Sequence, residues 1–432
     1  MAVKVAVVGG GSSYTPELVE GFVARAGRVP VDELVLLDIE AERLGIVAGL
    51  AQRMARRAGW PKGAVTSTTD PHRALEGAHF VIVQLRVGGQ RARLGDETLP
   101  LRFGCVGQET TGPGGFAKAL RTVPVVLELA EQVARWADPA AWIVDFTNPV
   151  GIVTQALLDE GHRAIGLCNV AIDFQRQFAR WLDVEPQRIE LDHVGLNHLT
   201  WERAIRLDGR DVLPDLLAHN LDRLAELTEL PASLIEVLAA VPSYYLRYYY
   251  LPDAVVAEQR GRPARAEEVM AIEAELLAMY RDPSLDTKPA LLDQRGGAYY
   301  SEAAAQLVAS LHDGRGDVQV VNIHNTGVME GLPADAVVEV PAVITRDGAR
   351  PTSTEPLSPE MRGLVQEAKA YEDLTLRAAR TGSRITAVKA LLANPLVPSY
   401  GVAEPLLAAL LDANRRHLPR FFGDSVDSSW DP

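Results

Sequence analysis

The chain begins with short apolar runs that alternate with amphipathic segments, a pattern that predicts strand, helix and strand in succession. Val3–Val8 is an apolar run, interrupted only by Lys4, of the kind found in central parallel strands, which are buried on both faces. Similar runs follow at Glu33–Leu37, Phe80–Leu85 and Trp142–Phe146, with helical patterns between them. This alternation predicts a doubly wound α/β sheet of the Rossmann type in the first part of the chain.

Near residue 190 the alternation becomes less regular, and we place a domain boundary there. Residues 1–190 are predicted to form a Rossmann-like domain with a fold like that of lactate and malate dehydrogenases. Residues 191–432 are predicted to form an α+β substrate domain. Within it, Pro214–Ala240 is predicted to be helical, and Glu360–Asn394 and Glu404–His417 are predicted to be long helices.

A glycine-rich turn follows the first predicted strand, and Asp38 ends the second. The turn contains Gly9, Gly10, Gly11, Ser12 and Ser13. Glycines allow the backbone to approach a pyrophosphate, the following helix N-terminus attracts its charge, and an acid can bond a ribose 2′-hydroxyl. We therefore predict dinucleotide binding, with NAD favoured over NADP because a carboxylate repels a 2′-phosphate.

The match to the dinucleotide pattern is incomplete, because Tyr14 occupies the third glycine position. A phosphate-binding loop, or an α/β turn without a cofactor, is the alternative interpretation.

Cys168 and His198 lie in two loops that follow short apolar runs, and each is flanked by Gly and Asn. Loops at strand ends are where α/β folds place ligands. A thiolate and an imidazole can together hold a divalent metal and leave its other positions open for substrate. The alternative is a buried cysteine and a packed histidine without a shared role.

Three other stretches carry candidate chemistry. Arg93 lies beyond the strand Phe80–Leu85, where arginines suit an anionic ligand or are simply solvated. Glu109, in the glycine-rich loop Gly104–Gly115, is a candidate acid or base, or part of a mobile turn. Residues 244–250 contain five tyrosines, which form either an aromatic core helix or a site that uses phenol hydroxyls.

Composition excludes several classes of protein. The net charge is −14 and the pI about 5.2, so non-specific binding to nucleic acid or an anionic membrane is disfavoured. No apolar run approaches the roughly 20 residues that span a bilayer. With two cysteines and no apparent signal peptide, the chain is expected to be cytoplasmic.

Taken together, the motifs resemble glycoside hydrolase family four, the NAD- and metal-dependent glycosidases, and most closely its 6-phospho-β-glucosidases. The resemblance covers nearly the whole chain, and the set of motifs is far more specific than any one of them. The matching segments are GGGSSYTPEL (9–18), GQETTGPGGF (107–116), FTNP (146–149), GLCNV (166–170), GLNHL (195–199), YLRYYY (245–250), RAEEVMAIE (265–273), RGGAYYS (295–301) and EGLPADAVVEVP (330–341).

This resemblance implies an unusual hydrolysis. NAD⁺ takes hydride from C3 of the sugar, and the resulting ketone acidifies the proton on C2. A divalent metal, usually Mn²⁺ in the family, stabilises the developing enolate while a tyrosinate removes that proton. The aglycone leaves by elimination, water adds at C1, and NADH returns the hydride, so there is no net redox change.

The family register assigns a role to particular side chains. It implies that Tyr245 is the base and that Glu109 adjusts its basicity. Cys168 and His198 become the metal ligands. The side chains implied to contact the sugar and its phosphate are Arg93, Asn148 and Arg265.

One position separates the branches of the family, because the α-glucosidases have an Asp after the metal-binding cysteine. Asn169 stands there in this chain, which favours β-glycosides and leaves the acid for the leaving group unassigned. Softness of the ligands alone would suggest zinc, iron or cobalt rather than Mn²⁺. A homodimer or homotetramer is also expected.

Three alternatives stay open at this stage. The first is a family member that acts on a non-phosphorylated glycoside. The second is an NAD-dependent 2-hydroxy acid dehydrogenase, which would release NADH but leaves the metal pair and the tyrosines unexplained. The third is a sugar-phosphate sensor, which would be favoured had Tyr245, Cys168 or His198 been lost.

Overall fold

The computed structural model describes residues 3–296 and 299–423. Within these ranges, thirteen strands form a single sheet. The strands of the first half are β1 (Val3–Val8), β2 (Val31–Leu37), β3 (Val65–Thr68), β4 (Phe80–Val83), β5 (Trp142–Asp145) and β6 (Ala164–Gly166). Those of the second half are β7 (Ile189–Leu196), β8 (Leu199–Leu207), β9 (Arg210–Asp211), β10 (Val241–Pro242), β11 (Asp317–His324), β12 (Val337–Thr345) and β13 (Gly348–Pro351).

The first six strands are parallel and stand in the order β3-β2-β1-β4-β5-β6. This is the strand order of the Rossmann fold, so the predicted fold class is confirmed. The aliphatic residues of β1 and β4 are almost fully buried, as expected for strands covered by helices on both faces.

The same sheet continues through antiparallel strands. β11 pairs with the edge strand β6 at Asn322 and Gly166, and β12, β7, β8 and β10 follow in that order. The sheet therefore crosses the predicted boundary near residue 190 without an interruption in its hydrogen bonding.

Helices cover both faces of the sheet. In the first half they are α1 (Thr15–Ala24), α2 (Ala41–Arg57), α3 (Pro71–Leu75), α4 (Gly89–Thr98), α5 (Gly112–Trp136), α6 (Val150–Asp159) and α7 (Val170–Leu182). In the second half they are α8 (Leu213–His219), α9 (Leu221–Thr228), α10 (Ala232–Leu238), α11 (Arg247–Tyr250), α12 (Pro252–Arg260), α13 (Arg265–Tyr280), α14 (Tyr300–Asp313), α15 (Pro359–Thr381), α16 (Arg384–Leu392), α17 (Tyr400–Ala413) and α18 (Pro419–Phe422). Short 3-10 turns lie at Pro100–Phe103, Pro186–Arg188, Tyr244–Leu246, Ala290–Arg295 and Arg415–His417.

Two segments that were predicted to be helical throughout are divided into shorter helices. The segment 214–240 is three short helices. Asn220, with φ −131°, separates the first from the second. Glu229, with φ +55°, and Pro231, which cannot donate a backbone hydrogen bond, separate the second from the third. The segment 360–394 is divided at Gly382, which takes φ +66° and ends α15. Among the described residues, no helix has both the length and the apolar character needed to cross a membrane.

Candidate active site

The candidate site lies at the carboxyl-terminal edge of the parallel strands. The glycine-rich turn follows β1, Asn148 follows β5, and Cys168 follows β6. Carboxyl ends of parallel strands meet at one edge of a sheet, and ligands of doubly wound folds bind in the crevice there. The hairpin between β7 and β8 adds Asn197 and His198 from the antiparallel half of the sheet.

His198 occupies the hairpin turn with φ +64°, a left-handed conformation that is uncommon for residues other than glycine. Its ring is buried, and Nδ1 lies 2.9 Å from the Thr110 hydroxyl oxygen. Its Nε2 atom is also buried and has no hydrogen-bond partner among the described residues. Burial lowers the pKa of His198 to about 4, so the imidazole is neutral near pH 7, as a metal ligand must be.

Cys168 is the second predicted metal ligand, and it is buried in the same region. The Tyr300 hydroxyl lies 3.9 Å from its sulfur, and the Asn197 side chain also interacts with it. Burial raises the pKa of the Cys168 thiol well above its ordinary value. A cation bound to the sulfur would offset this effect, since thiols that coordinate a metal are deprotonated.

The residues present fit a divalent cation with few protein ligands. The unpartnered Nε2 atom of His198 is a buried lone-pair or donor position that the protein leaves unused. Within the described part of the chain, no group of three or more His, Cys, Asp or Glu side chains is arranged to hold a metal. A cation held by Cys168 and His198 would therefore take its remaining ligands from water or substrate.

Tyr245 lies in the 3-10 turn Tyr244–Leu246, directly against the histidine. Its ring stacks on His198 with a centroid separation of 3.7 Å and an interplanar angle of 12°. The Tyr244 ring also packs against Tyr245, with a centroid separation of 4.6 Å. Burial raises the pKa of the Tyr245 phenol well above 10, and Tyr244 and Cys168 add to this effect.

Glu109 is surrounded by cations. Lys118 Nζ lies 2.7 Å and Arg93 Nε 3.2 Å from its carboxylate oxygens, and Arg86 donates a further short hydrogen bond. These cations, Arg86 first, overcome burial and hold the pKa of Glu109 well below its usual range. Burial lowers the pKa of Lys118 to about 7. Glu109 is thus a fixed anion near pH 7, better suited to an electrostatic role than to proton transfer.

The predicted sugar and phosphate contacts lie in different environments. Arg93 is half-buried and donates to Glu97 at 2.7 Å, and it interacts electrostatically with Tyr245. Asn148 has a buried Oδ1 atom with no hydrogen-bond partner among the described residues. Arg265 is half exposed at the start of α13, where it donates to Glu268 at 2.6 Å and to the Gln294 carbonyl at 2.8 Å.

The glycine-rich turn is built around close contacts with β2 and β4. A Cβ at Gly10 would lie 2.8 Å from Leu36 Cβ, and one at Gly9 would lie 2.5 Å from the Gln84 carbonyl oxygen. Asp38 accepts a 2.8 Å hydrogen bond from the Gly11 N–H. The predicted turn, helix start and acid are therefore adjacent, which fits a dinucleotide.

Thr15 is the first residue of α1, so its hydroxyl is not in the position of an N-cap. Its hydroxyl instead donates to the Gly10 carbonyl oxygen at 2.9 Å and accepts from Gln84 Nε2 at 3.1 Å. The Thr15 hydroxyl therefore links the glycine-rich turn to Gln84, the residue after β4.

Side chains from the second half of the chain cover this turn, a contact that no local pattern in the sequence indicates. Glu273, on α13, accepts hydrogen bonds from the Ser13 hydroxyl at 3.1 Å and from Arg295. The Tyr280 hydroxyl donates to the Ser13 carbonyl at 2.8 Å. The Arg295 guanidinium lies 4.3 Å from the centroid of the Tyr14 ring, which explains a tyrosine at the third glycine position.

Other site residues were missed although a signal existed. Lys118 is a charged residue inside an otherwise apolar stretch of α5, and Glu339 stands in the middle of the valine-rich strand β12. A charge in such a run indicates a partner, because an unpaired buried charge is costly. The identity of the partners depends on contacts between segments far apart in the chain, which no local pattern contains.

The chain belongs to glycosyl hydrolase family 4. The family model matches residues 4–184, and the model of the family's C-terminal domain matches residues 193–397. The resemblance inferred from the motifs is thereby confirmed.

Three similar proteins are named as glucosidases that act on phosphorylated sugars. The chain is similar to a probable 6-phospho-beta-glucosidase of Bacillus subtilis, at 42% identity over 97% of this chain and 98% of that protein. It is also similar to the 6-phospho-beta-glucosidase of Escherichia coli, at 37% identity over 97% and 96%. Maltose-6′-phosphate glucosidase of Bacillus subtilis is 28% identical over 96% of each chain.

Solved structures agree in fold over the full length. The 6-phospho-beta glucosidase of Thermotoga maritima, solved with manganese, NAD⁺ and glucose-6-phosphate, superposes with a TM-score of 0.91 at 35% identity. The match covers 96% of this chain and 99% of that one. A 6-phospho-alpha-glucosidase from gut microorganisms, solved with NAD and glucose-6-phosphate, has a TM-score of 0.89 at 29% identity over 96% and 99%.

Proposed function

We propose that this protein hydrolyses 6-phospho-β-glucosides in a reaction that requires NAD and a divalent metal, Mn²⁺ by analogy with the Thermotoga maritima enzyme. One observation carries the proposal. The stacked pair of Tyr245 and His198, with an unpartnered Nε2 atom, lies at the same sheet edge as Cys168 and the glycine-rich turn. Neither a plain dehydrogenase nor a sensor requires that combination.

The cofactors supply what the side chains lack. When bound, NAD is a reversible acceptor for oxidation at C3 of the sugar, and Mn²⁺ stabilises negative charge on the sugar oxygens. Gly9, Gly10, Gly11, Ser12, Ser13 and Asp38 would hold the dinucleotide. Cys168 and His198 would hold the metal.

The protein's own groups carry out the proton transfers and position the sugar. Tyr245 is the base for the C2 proton, as the family register implies. Glu109, fixed as an anion by its cations, sets the electrostatic environment through Arg93, whose charge acts on Tyr245. Asn148 has a free buried acceptor for a sugar hydroxyl. Arg93 and Arg265 are the cations for the phosphate. Glu97 connects them, since it accepts hydrogen bonds from Arg93 and from the N–H of Ala266, the residue after Arg265.

Two features support a β-linked phosphorylated substrate. Asn169 follows Cys168, where the α-glucosidase branch has an Asp. The first three relatives matched are all named as 6-phospho-beta-glucosidases, and they are more similar to this chain than the α-type enzymes are.

A substrate comparison tests this proposal. p-Nitrophenyl β-glucoside and its 6-phosphate are assayed with NAD⁺, Mn²⁺ and a reductant, and the 6-phosphate is expected to be cleaved far faster. The matching α-glucoside 6-phosphate is the control. Equal rates on both β-glucosides would replace the phosphorylated substrate with the plain one.

A second experiment tests the chemistry. NADH absorbance is followed during turnover, and no stoichiometric NADH is expected because the oxidation at C3 is reversed in each cycle. NADH formed in proportion to turnover would favour a dehydrogenase.

A further inference from the structure

A row of buried polar side chains crosses the antiparallel half of the sheet and ends beneath the candidate metal ligands. Glu202, His193, Glu339 and Asn322 are each no more than 1% exposed. His193 Nδ1 lies 2.6 Å from Glu202, and its Nε2 atom lies 3.0 Å from Glu339 Oε1. We call this row the carboxylate row.

Glu339 connects the row to the hairpin turn. Its Oε2 atom accepts hydrogen bonds from Asn197 Nδ2 at 2.9 Å and from Asn322 Nδ2 at 2.8 Å. Asn197 directly precedes His198, and its side chain also interacts with the Cys168 thiol. The Asn197 amide is therefore hydrogen-bonded to the carboxylate of Glu339, precedes one metal ligand in the chain and interacts with the thiol of the other.

The register of the sheet places Glu339 between the two ligand loops. On one side Glu339 pairs with Gly195, three residues before His198. On the other side it pairs with Asn322, which pairs in turn with Gly166, two residues before Cys168. The loops that carry Cys168 and His198 therefore both begin close to one row of paired residues that runs across the sheet.

Stability alone does not account for a carboxylate at this position. Its neighbours on β12, Val337, Val338 and Val340, are buried aliphatic residues, and buried ion pairs are commonly no better for stability than apolar side chains of similar volume. The residue is nevertheless held by three partners, each with a defined direction. Groups around metal ligands are typically arranged in this way to orient them.

We propose that Glu339, acting through Asn197, is a positioning residue that holds the Cys168 and His198 loops at the spacing a divalent cation requires. The inference rests on the proposed metal site. The turn conformation of His198 is uncommon, and the carboxylate–amide contact at the preceding residue keeps it from relaxing. Loss of this contact would misplace both ligands without removing either.

The test is metal binding by the NAD-free protein, measured without turnover. Mn²⁺ affinity is determined by electron paramagnetic resonance, and Co²⁺ is added to record its absorption bands, including thiolate-to-metal charge transfer. Glu339→Gln and Asn197→Ala are each expected to weaken Mn²⁺ binding by about 10- to 100-fold, the usual effect of losing a group that orients a ligand. NAD⁺ affinity should be unchanged.

Glu202→Gln is the matched control. It removes the same charge from the same row, but Glu202 contacts His193 and makes no hydrogen bond to Asn197. Its thermal stability is expected to fall while its Mn²⁺ affinity and Co²⁺ spectrum stay those of the parent. Equal losses in Glu202→Gln and Glu339→Gln would show that charge or general destabilisation, rather than positioning, is responsible, and would overturn the proposal.

Two comparisons make the outcome decisive. The double variant Glu339→Gln/Asn197→Ala should bind Mn²⁺ no more weakly than the worse single variant, because both act through one contact. Additive losses of Mn²⁺ affinity would contradict the inference that the two residues act through one contact. If Glu339→Gln does not fold, Asn197→Ala alone decides, since it removes the contact and leaves the buried charges in place; parental affinity in this variant overturns the proposal.

Variants of the ligands themselves separate this inference from the proposed function. If Cys168→Ser and His198→Ala lose Mn²⁺ while Asn197→Ala retains it, only the positioning role fails. If the two ligand variants bind Mn²⁺ as the parent does, the metal site itself is misassigned.

Discussion

Tyr245 and His198 lie ring against ring, so the proposed base and the proposed metal ligand share one contact. The sequence indicated His198 by its loop after an apolar run, whereas Tyr245 was singled out only through the register of the family motifs. Their stacking depends on a turn at 244–246 meeting a hairpin at 197–198, and no local pattern contains such a meeting. A tyrosinate at this position would also need the positive charge of a bound metal, because burial in the protein raises the pKa of the Tyr245 phenol.

Tyr245→Phe removes one oxygen from the site, and we expect turnover to fall by about 10²- to 10⁴-fold, the usual contribution of a general base. Oxidation at C3 does not use this phenol, so the variant should still reduce bound NAD⁺ when substrate is added. Exchange of the C2 hydrogen with deuterated water, followed by NMR, should disappear.

Tyr248→Phe is the control for this variant. The Tyr248 ring lies 6.1 Å from Tyr245 and packs against Val106, Val255 and Val256 instead of His198. Its C2 exchange should persist. If Tyr245→Phe exchanges deuterium as the parent does, the base is a different residue and the register is wrong.

Asp145, at the end of β5, is a buried carboxyl with no cationic partner in the described part of the chain, and burial raises its pKa from 3.8 to about 8. Between these values the unfolded chain is ionised while the folded protein keeps its proton. The stabilisation present below pH 3.8 is therefore lost progressively as the pH rises to about 8, at about 1.4 kcal/mol per pH unit.

Asp145→Asn keeps an acceptor for the Thr147 N–H, which donates to Asp145 at 2.9 Å, and cannot ionise. We expect the melting temperature of the variant to decline less than that of the parent between pH 5 and pH 8, as measured by circular dichroism. Parallel curves for the two proteins would show that Asp145 does not hold its proton in the folded state.

Strands and helices could be predicted from the sequence where a single hydrophobic periodicity continues along the whole element. The parallel strands β1, β2, β4 and β5 were all identified to within two residues, since each is a short apolar run between turn residues. The helical segment 214–240 was not, because its breaks at Asn220 and at residues 229–231 are short interruptions inside a periodic apolar pattern. The antiparallel extension was also missed as a feature of the sheet, because pairing between β6 and β11 joins residues more than 150 positions apart.

The turn after β1 allows a test at the level of an element. Gly10→Ala would place a Cβ 2.8 Å from Leu36 Cβ, and overpacking of this kind costs about 1–3 kcal/mol of stability. We expect a lower melting temperature and weaker NAD⁺ binding, measured by scanning calorimetry and titration calorimetry.

Gly45→Ala is the matched control for this test. Gly45 lies inside α2, and a Cβ there would have no neighbour within 4 Å. This change should stabilise the protein by about 0.5–1 kcal/mol through helix propensity and leave NAD⁺ affinity alone. If Gly10→Ala is as stable as the parent, β2 must shift to accommodate the added methyl group at little cost in free energy.

At the scale of the whole molecule, the two predicted domains share much of their structure. β11 covers what would otherwise be the free edge of β6, and one hydrophobic cluster contains both Val5 of β1 and Val340 of β12. Arg28 of the first half pairs with Asp313 and Asp317 of the second at 2.8 and 2.7 Å. The boundary near 190 thus separates two sequence patterns, while the packing is continuous across it.

This continuity predicts that the halves 1–190 and 191–432 unfold together. Separating them would expose the β6 edge, open the shared core and break the contact of Ser13 with Glu273 over the cofactor turn. Scanning calorimetry should therefore show one transition, with equal calorimetric and van't Hoff enthalpies. NAD⁺ should move that whole transition to higher temperature, because a ligand that binds only the folded state stabilises the entire cooperative unit. Two transitions, of which NAD⁺ shifts only one, would instead establish independent domains and restore the boundary as a structural one.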